Sequence, residues 1–274
     1  MVKMKLGGFK GDYWQYGDQM DFYPRKIPKK IKHCFKYFDR SPINGLDDTS
    51  PIIVFGSCFS EHLMTGLSKN NFKNVNNCVV PAGLNNIFAI KQILLYIIHK
   101  NQSFNQYAYH QKHIDEVWNG NTETIKNKLQ QAQVIIISVG LAEYWTDITT
   151  GGKFWMGIPE KQYDKSKHVL QTATPEEICQ EMKEISKLLT SDLSPVKNLH
   201  LVFTLCPVPL NATFTQNRSI VANCISKSIC RTGFHLFFNS NKNDKVLYFP
   251  VYEWCYFIGN YFQKNVFDSN VSRH

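Results

Sequence analysis

Short, unbroken apolar runs alternate along this chain with stretches of helical periodicity. Pro51-Ile-Ile-Val-Phe55 ends at Gly56-Ser57, and Val134-Ile-Ile-Ile-Ser-Val139 ends at Gly140. Leu199-His-Leu-Val-Phe-Thr-Leu205 is stopped by Cys206-Pro-Val-Pro209, and Val246-Leu-Tyr-Phe249 by Pro250. Runs of this length, rich in β-branched residues and bounded by glycine or by proline, which cannot donate to a ladder, predict buried strands. Helical spacing predicts helices from Ser60 to Leu67, Asn86 to His99 and Thr122 to Gln131. Thr174-Pro-Glu-Glu177 is a capping box with proline at the first helical position, opening a helix that runs to about Leu189. A further helix is predicted from Val221 to Phe237, broken or ended around Gly233. Buried strands alternating with helices predict an α/β fold of three layers, α/β/α, around a mostly parallel sheet. Residues 1–50, rich in aromatic and basic groups, are expected to form an N-terminal extension packed on a domain spanning residues 51–274.

Composition narrows the classes of partner. The chain has 274 residues, 43% of them hydrophobic, which suits a globular core rather than a disordered tail. The strongest apolar stretch, Ile93 to Ile98, is far short of the roughly 20 residues a membrane span needs, so no span is expected. The first twelve residues lack the apolar segment of a secretory signal, which makes cytoplasmic residence the default. The formal charge of +9 would suit anionic partners. Its lysines are dispersed, however, and the densest stretch, Arg25 to His33, reads as a solvated arm. With no recognisable binding motif, no nucleic-acid partner is expected. Eight cysteines never form a C-x-x-C pair, so no metal site is expected, and several lie in apolar runs as reduced, buried thiols. No cofactor motif is present, and the sequence leaves the oligomeric state unknown.

Candidate chemistry gathers where the strands end, because the ligand crevice of an open parallel sheet lies beyond their carboxyl ends. Gly56-Ser57-Cys58-Phe59-Ser60 puts a hydroxyl at the mouth of the sheet and the start of a helix, whose N–H groups and positive end can stabilise an oxyanion. Ser57 reads either as that nucleophile or as a helix cap. Cys58 reads as a rival nucleophile or as core. His110 and His113 lack the glutamate of a zincin pattern and read as exposed residues, as does His62. Lys227, between Ser226 and Ser228, suggests a Ser-Lys arrangement or a helix facing the crevice. Trp118, Trp145 and Trp155 read as a sugar-stacking platform or as core.

Gly56-Ser-Cys-Phe-Ser60 resembles the signature of the GSCFA proteins, a group related to the SGNH or GDSL hydrolases, with Ser60 in place of the final alanine. The resemblance extends in order through Phe22-Tyr-Pro-Arg25, Asn86-Ile-Phe-Ala-Ile-Lys-Gln92, Gly140-Leu-Ala-Glu-Tyr-Trp145 and Phe154-Trp-Met-Gly-Ile-Pro159. It continues through Pro207-Val-Pro-Leu210, Ala212-Thr-Phe214, Ala222-Asn-Cys-Ile-Ser-Lys-Ser228 and Tyr248-Phe-Pro-Val-Tyr-Glu253. It implies an SGNH-hydrolase-like, flavodoxin-like fold in which Ser57 is the nucleophile and its backbone N–H is part of the oxyanion hole. A glycine, Gly83 with Asn85 as an equal alternative, and an asparagine amide would complete that hole. Ala142 stands where the superfamily's asparagine would be, so the resemblance leaves Asn86 or Asn223 as the donor and Glu143 at the carboxylate position.

The resemblance also implies a C-terminal base, His274, oriented by Asp268; Val271 stands where the superfamily's aspartate would be. A histidine at the last position implies either a fragment lacking its final helix or a chain that has lost activity. The expected function is therefore that of a serine-dependent esterase or O-acyltransferase on an acylated, most simply acetylated, carbohydrate or polysaccharide, with a small-molecule or glycan ester as substrate. The alternative is a noncatalytic carbohydrate-binding or interaction protein on a degenerate scaffold.

Overall fold

The structure is a computed structural model that describes residues 3–4, 13–14, 43, 45–56, 58–79, 86–99, 122–154, 157–158, 160–193, 199–210 and 212–262. The chain divides into two compact units, Met1–Ser41 and Pro42–His274. In the first, β1 (Lys3–Met4) pairs antiparallel with β2 (Tyr13–Trp14).

The second unit is built on a parallel sheet of five strands: β3 (Ile52–Gly56), β4 (Val75–Val79), β5 (Val134–Val139), β9 (His200–Leu205) and β10 (Val246–Phe249). Their spatial order is β10-β9-β5-β3-β4, and every neighbouring pair is parallel. Counted in chain order this is 2-1-3-4-5, the flavodoxin-like arrangement, whose order reverses between β3 and β5. Among the described residues six α-helices accompany it: α1 (Cys58–Lys69), α2 (Ile87–His99), α3 (Thr122–Gln131), α4 (Pro175–Lys187), α5 (Ser219–Ser240) and α6 (Val251–Phe262). A separate antiparallel sheet joins β6 (Glu143–Asp147) to β7 (Gly152–Lys153) on one side and β8 (His168–Thr172) on the other.

The strand period of two sorts the core into two layers. Ile53, Phe55, Ile135, Ile137, Leu201 and Phe203 face one cluster, shared with apolar residues of α2, α4 and α5. Ile52, Val54, Val134 and Val202 face the other, shared with Leu63, Met64 and Leu67 of α1. A sheet covered on both faces needs apolar residues at successive positions, which is why these strands read as continuous runs.

The structure departs from the sequence reading in several places. Strand β4, Val75-Asn-Asn-Cys-Val79, carries two asparagines because among the described residues it is an edge strand paired with β3 alone, so it lacks the apolar run of a central strand. The antiparallel sheet and helix α6 were likewise not predicted, the latter because its aromatic-rich sequence does not favour helix. Helix α5 runs unbroken through Gly233. A Cβ there would lie 2.6 Å from Ile178 Cβ and 2.8 Å from Pro175 O, so this glycine serves the close crossing of α5 over α4 rather than a break. Finally, Cys224 is exposed, while Cys179, Cys206 and Cys230 are buried free thiols as expected.

Helices α2 and α4 are joined by charge as well as by packing. Lys91 Nζ lies 2.7 Å from Glu181 Oε2 and 2.8 Å from Glu184 Oε2. Burial works against the Lys91 charge, yet its hydrogen bonds to Glu181 and Glu184 outweigh that penalty and hold its pKa above the ordinary value. Burial also pushes Glu181 up, against the pull of Lys91. Lys91 lies in the Asn86–Gln92 motif, and this position is structural. Lys91→Met leaves Glu181 buried without its cation and should cost about 3 kcal/mol in urea unfolding at neutral pH. Without Lys91 the folded state favours protonated Glu181 more strongly, so that loss should shrink as pH falls.

Candidate functional site at the carboxyl edge of the sheet

Because the strand order reverses between β3 and β5, the crevice of this fold opens beyond Gly56 and Val139. Gly56 ends β3 with φ +144°, a backbone conformation that side chains rarely adopt. There is also no room for one: a Cβ would collide with Ser60 Oγ and lie 2.8 Å from Ser138 Cβ and 2.9 Å from Ser138 O. Glycine is thus required where the chain leaves the sheet, and α1 begins two residues later at Cys58. Ser60 and Ser138 are fully buried, and neither hydroxyl has a hydrogen-bond partner among the described residues.

Beyond β5, several backbone groups between Val139 and Ala142 find partners in neighbouring segments. Val139 O accepts from Cys206 N–H at 2.8 Å, and Ala142 O from Ala173 N–H at 2.8 Å. Leu141 forms an isolated parallel bridge with Asn86. Helix α5 supplies the rest from one face, since residues three and four apart lie on one side of a helix. Lys227 Nζ donates to Gly140 O at 2.9 Å, Ser226 Oγ accepts from Ala142 N–H at 2.6 Å, and Asn223 Oδ1 accepts from Leu210 N–H at 3.1 Å. Three residues of the Ala222–Ser228 motif therefore fasten the end of β5 and the loop after β9 to one helix.

Of the residues singled out from sequence, Asn86, Glu143 and Asn223 are described; Ser57, Gly83, Asp268 and His274 lie outside the described residues, as do His110, His113, Trp118 and Trp155. Asn86 is buried, and its Oδ1 accepts from Ala89 N–H at 2.8 Å, capping α2. The cap fixes the side chain and leaves its Nδ2 as the remaining donor, while the backbone of Asn86 bridges Leu141. Glu143 is also buried, and Thr213 Oγ1 sits 2.8 Å and 3.0 Å from its two oxygens. Thr215 Oγ1 lies 2.8 Å from Thr213 Oγ1, so a line of hydroxyls runs from the loop after β9 to the carboxylate. Sequence reasoning missed Thr213 as a partner, although it lies in the Ala212–Phe214 motif. Trp145 packs against the core and meets the rings of Tyr163 and Phe214 edge-on at 5.6 Å and 5.7 Å, with Phe214 exposed. His62 is exposed on α1, as expected.

Among the described residues there is no group of three His, Cys, Asp or Glu side chains able to hold a metal ion. No helix of the described residues is long and apolar enough to cross a membrane.

The strand order and the glycine-to-helix exit from β3 define a three-layer α/β/α protein of the flavodoxin-like type with its crevice at the β3/β5 switch point. The GSCFA family model matches residues 51–272, and the chain belongs to that family. No curated protein and no solved structure matches it. Family membership is compatible with a hydrolase-like enzyme.

The fit around Gly56 gives a direct test. Gly56→Ala combines an unfavourable φ with a collision and should cost about 2–5 kcal/mol in urea unfolding. A variant as stable as the parent would contradict the geometry at this exit.

Proposed function

We propose that this protein is a serine-dependent esterase or O-acyltransferase acting on an acylated, most simply acetylated, carbohydrate or polysaccharide. The observation that carries the reading is the exit from β3: a strand at the switch point ends in an obligate glycine, and a helix opens two residues later. The residue between them is Ser57. In the proposed reaction Ser57 Oγ attacks the ester carbonyl carbon and passes its proton to His274, which Asp268 orients. The negative charge that develops on the carbonyl oxygen is met by the Ser57 N–H, Gly83 N–H and the Nδ2 of Asn86, with Asn223 the alternative donor. The C–O bond breaks and the alcohol leaves with the proton from His274. Water or an acceptor hydroxyl, deprotonated by the same imidazole, then takes the acyl group from Ser57. Glu143 supports the floor of the site through Thr213.

The test is labelling by a serine-directed phosphonate together with turnover of small aryl acetates. Ser57→Ala should abolish both, and Cys58→Ala should leave both within a few-fold of wild type. Labelling that persists in Ser57→Ala sinks the assignment. Glycan binding by a protein that neither labels nor turns over any acylated sugar would favour the noncatalytic reading.

Asn86 can be tested separately from its capping role. Asn86→Asp keeps the capping oxygen but replaces the amide donor with a buried carboxylate, so kcat should fall at least about 10²- to 10³-fold while the folded protein, less stable than the parent, keeps its cap on α2. If Asn86→Asp turns over at the parent rate, the donor lies elsewhere.

A further inference from the structure

Lys227 is the most unusual charge among the described residues. It is 2% exposed, yet no carboxylate among the described residues pairs with it. Its hydrogen-bond partner among the described residues is a single neutral group, the Gly140 carbonyl at 2.9 Å, although an ammonium has three protons to donate. Burying a lysine in that state is costly, and Lys91 shows how this same chain treats a partly buried lysine meant only for structure, giving it two carboxylates. Lys227 is also placed with little freedom. A Cβ on Gly140 would stand only 3.1 Å from Nζ, so the ammonium rests against the backbone at the carboxyl end of β5. That is one of the two strand ends that border the crevice.

We propose that Lys227 is a positioning residue for acyl transfer: its ammonium neutralises the Gly140 carbonyl dipole and sets a positive potential at the strand end where the oxyanion develops. Without it, the partial negative charge of that carbonyl would face the developing charge uncompensated. A fixed cation in a site shielded from water acts more strongly than one at the surface and needs no reorganisation during the reaction. It also supplies positive character on the β5 side of the site, where Ala142 has no side-chain amide to offer. The inference rests on the acyl-transfer reading given above and adds a residue to that same site.

The experiment compares Lys227→Met, Lys227→Gln and Lys227→Arg in the full chain. It measures the rate of phosphonate labelling at Ser57, kcat and KM for an aryl acetate, and the thermal transition. Glutamine keeps a donor for Gly140 O without the charge, and arginine keeps the charge. Methionine and glutamine variants should label and turn over about 10- to 100-fold more slowly, with KM within about twofold, and arginine should recover most of the loss. Should the methionine variant fail to fold, the glutamine and arginine pair decides the matter. A glutamine variant at the wild-type rate, or glutamine and arginine variants equally slow, would overturn the role of the charge. A wild-type protein that is not labelled at Ser57 would overturn the acyl-transfer reading itself, and the role of Lys227 with it; wild-type labelling at Ser57 separates the two failures.

Discussion

Backbone groups at the ends of buried strands must find partners, and here one helix face meets that demand beyond β5, which borders the crevice, and in the loop that follows β9. Asn223, Ser226 and Lys227 of α5 hold Leu210, Ala142 and Gly140. The carboxyl edge of a parallel sheet is where ladder bonding stops, so those groups would otherwise be satisfied only by water or by a ligand. By taking them up internally, α5 converts loose strand ends into a fixed floor. The placement of Asn86 and Glu143 depends on that floor, because Leu141 bridges Asn86 and Glu143 begins the next strand.

The chain handles its buried charges in two distinct ways. Around Lys91 it assembles a closed group in which Glu181 and Glu184 compensate the cation, and the result joins α2 to α4. Lys153 stands nearby with its Nζ 3.6 Å from the centre of the Phe88 ring, and burial lowers its pKa against the opposing pull of Glu181 and Glu177. At the strand ends the pattern is the opposite, with a lone ammonium on a carbonyl and two buried serine hydroxyls lacking partners among the described residues. A cation held by two carboxylates joins helices, whereas a buried cation on a neutral carbonyl leaves its charge to act on what lies beside it.

How much of this was legible in sequence follows from what each signal measures. Central strands announced themselves because burial on both faces forces continuous apolar runs, as in Val134–Val139. The capping box at Thr174 was legible because its two hydrogen bonds are local, and both form. Edge strand β4 was not, since a strand with a single hydrogen-bonded neighbour can afford Asn76 and Asn77. Gly233 misled because glycine at a helix end and glycine at a helix crossing look alike until the partner, Ile178, is known. At the site, motifs pointed to Asn86, Glu143 and Asn223, but not to what each touches. The capping of α2 by Asn86 and the contact of Thr213 with Glu143 span structure that no spacing rule encodes.

The close crossing at Gly233 has a mechanical consequence for the strand ends. Gly233 lies six residues from Lys227, about 9 Å along the axis of a rigid rod. Where a helix rests on its neighbour through a residue without a side chain, the contact acts as a fulcrum, and any thickening there tilts the whole rod. The far arm of this lever carries Asn223, Ser226 and Lys227, so displacement at the fulcrum reaches all three fastenings together. Precision at the mouth of the sheet is therefore set partly by a contact between two helices, well away from any residue of the crevice.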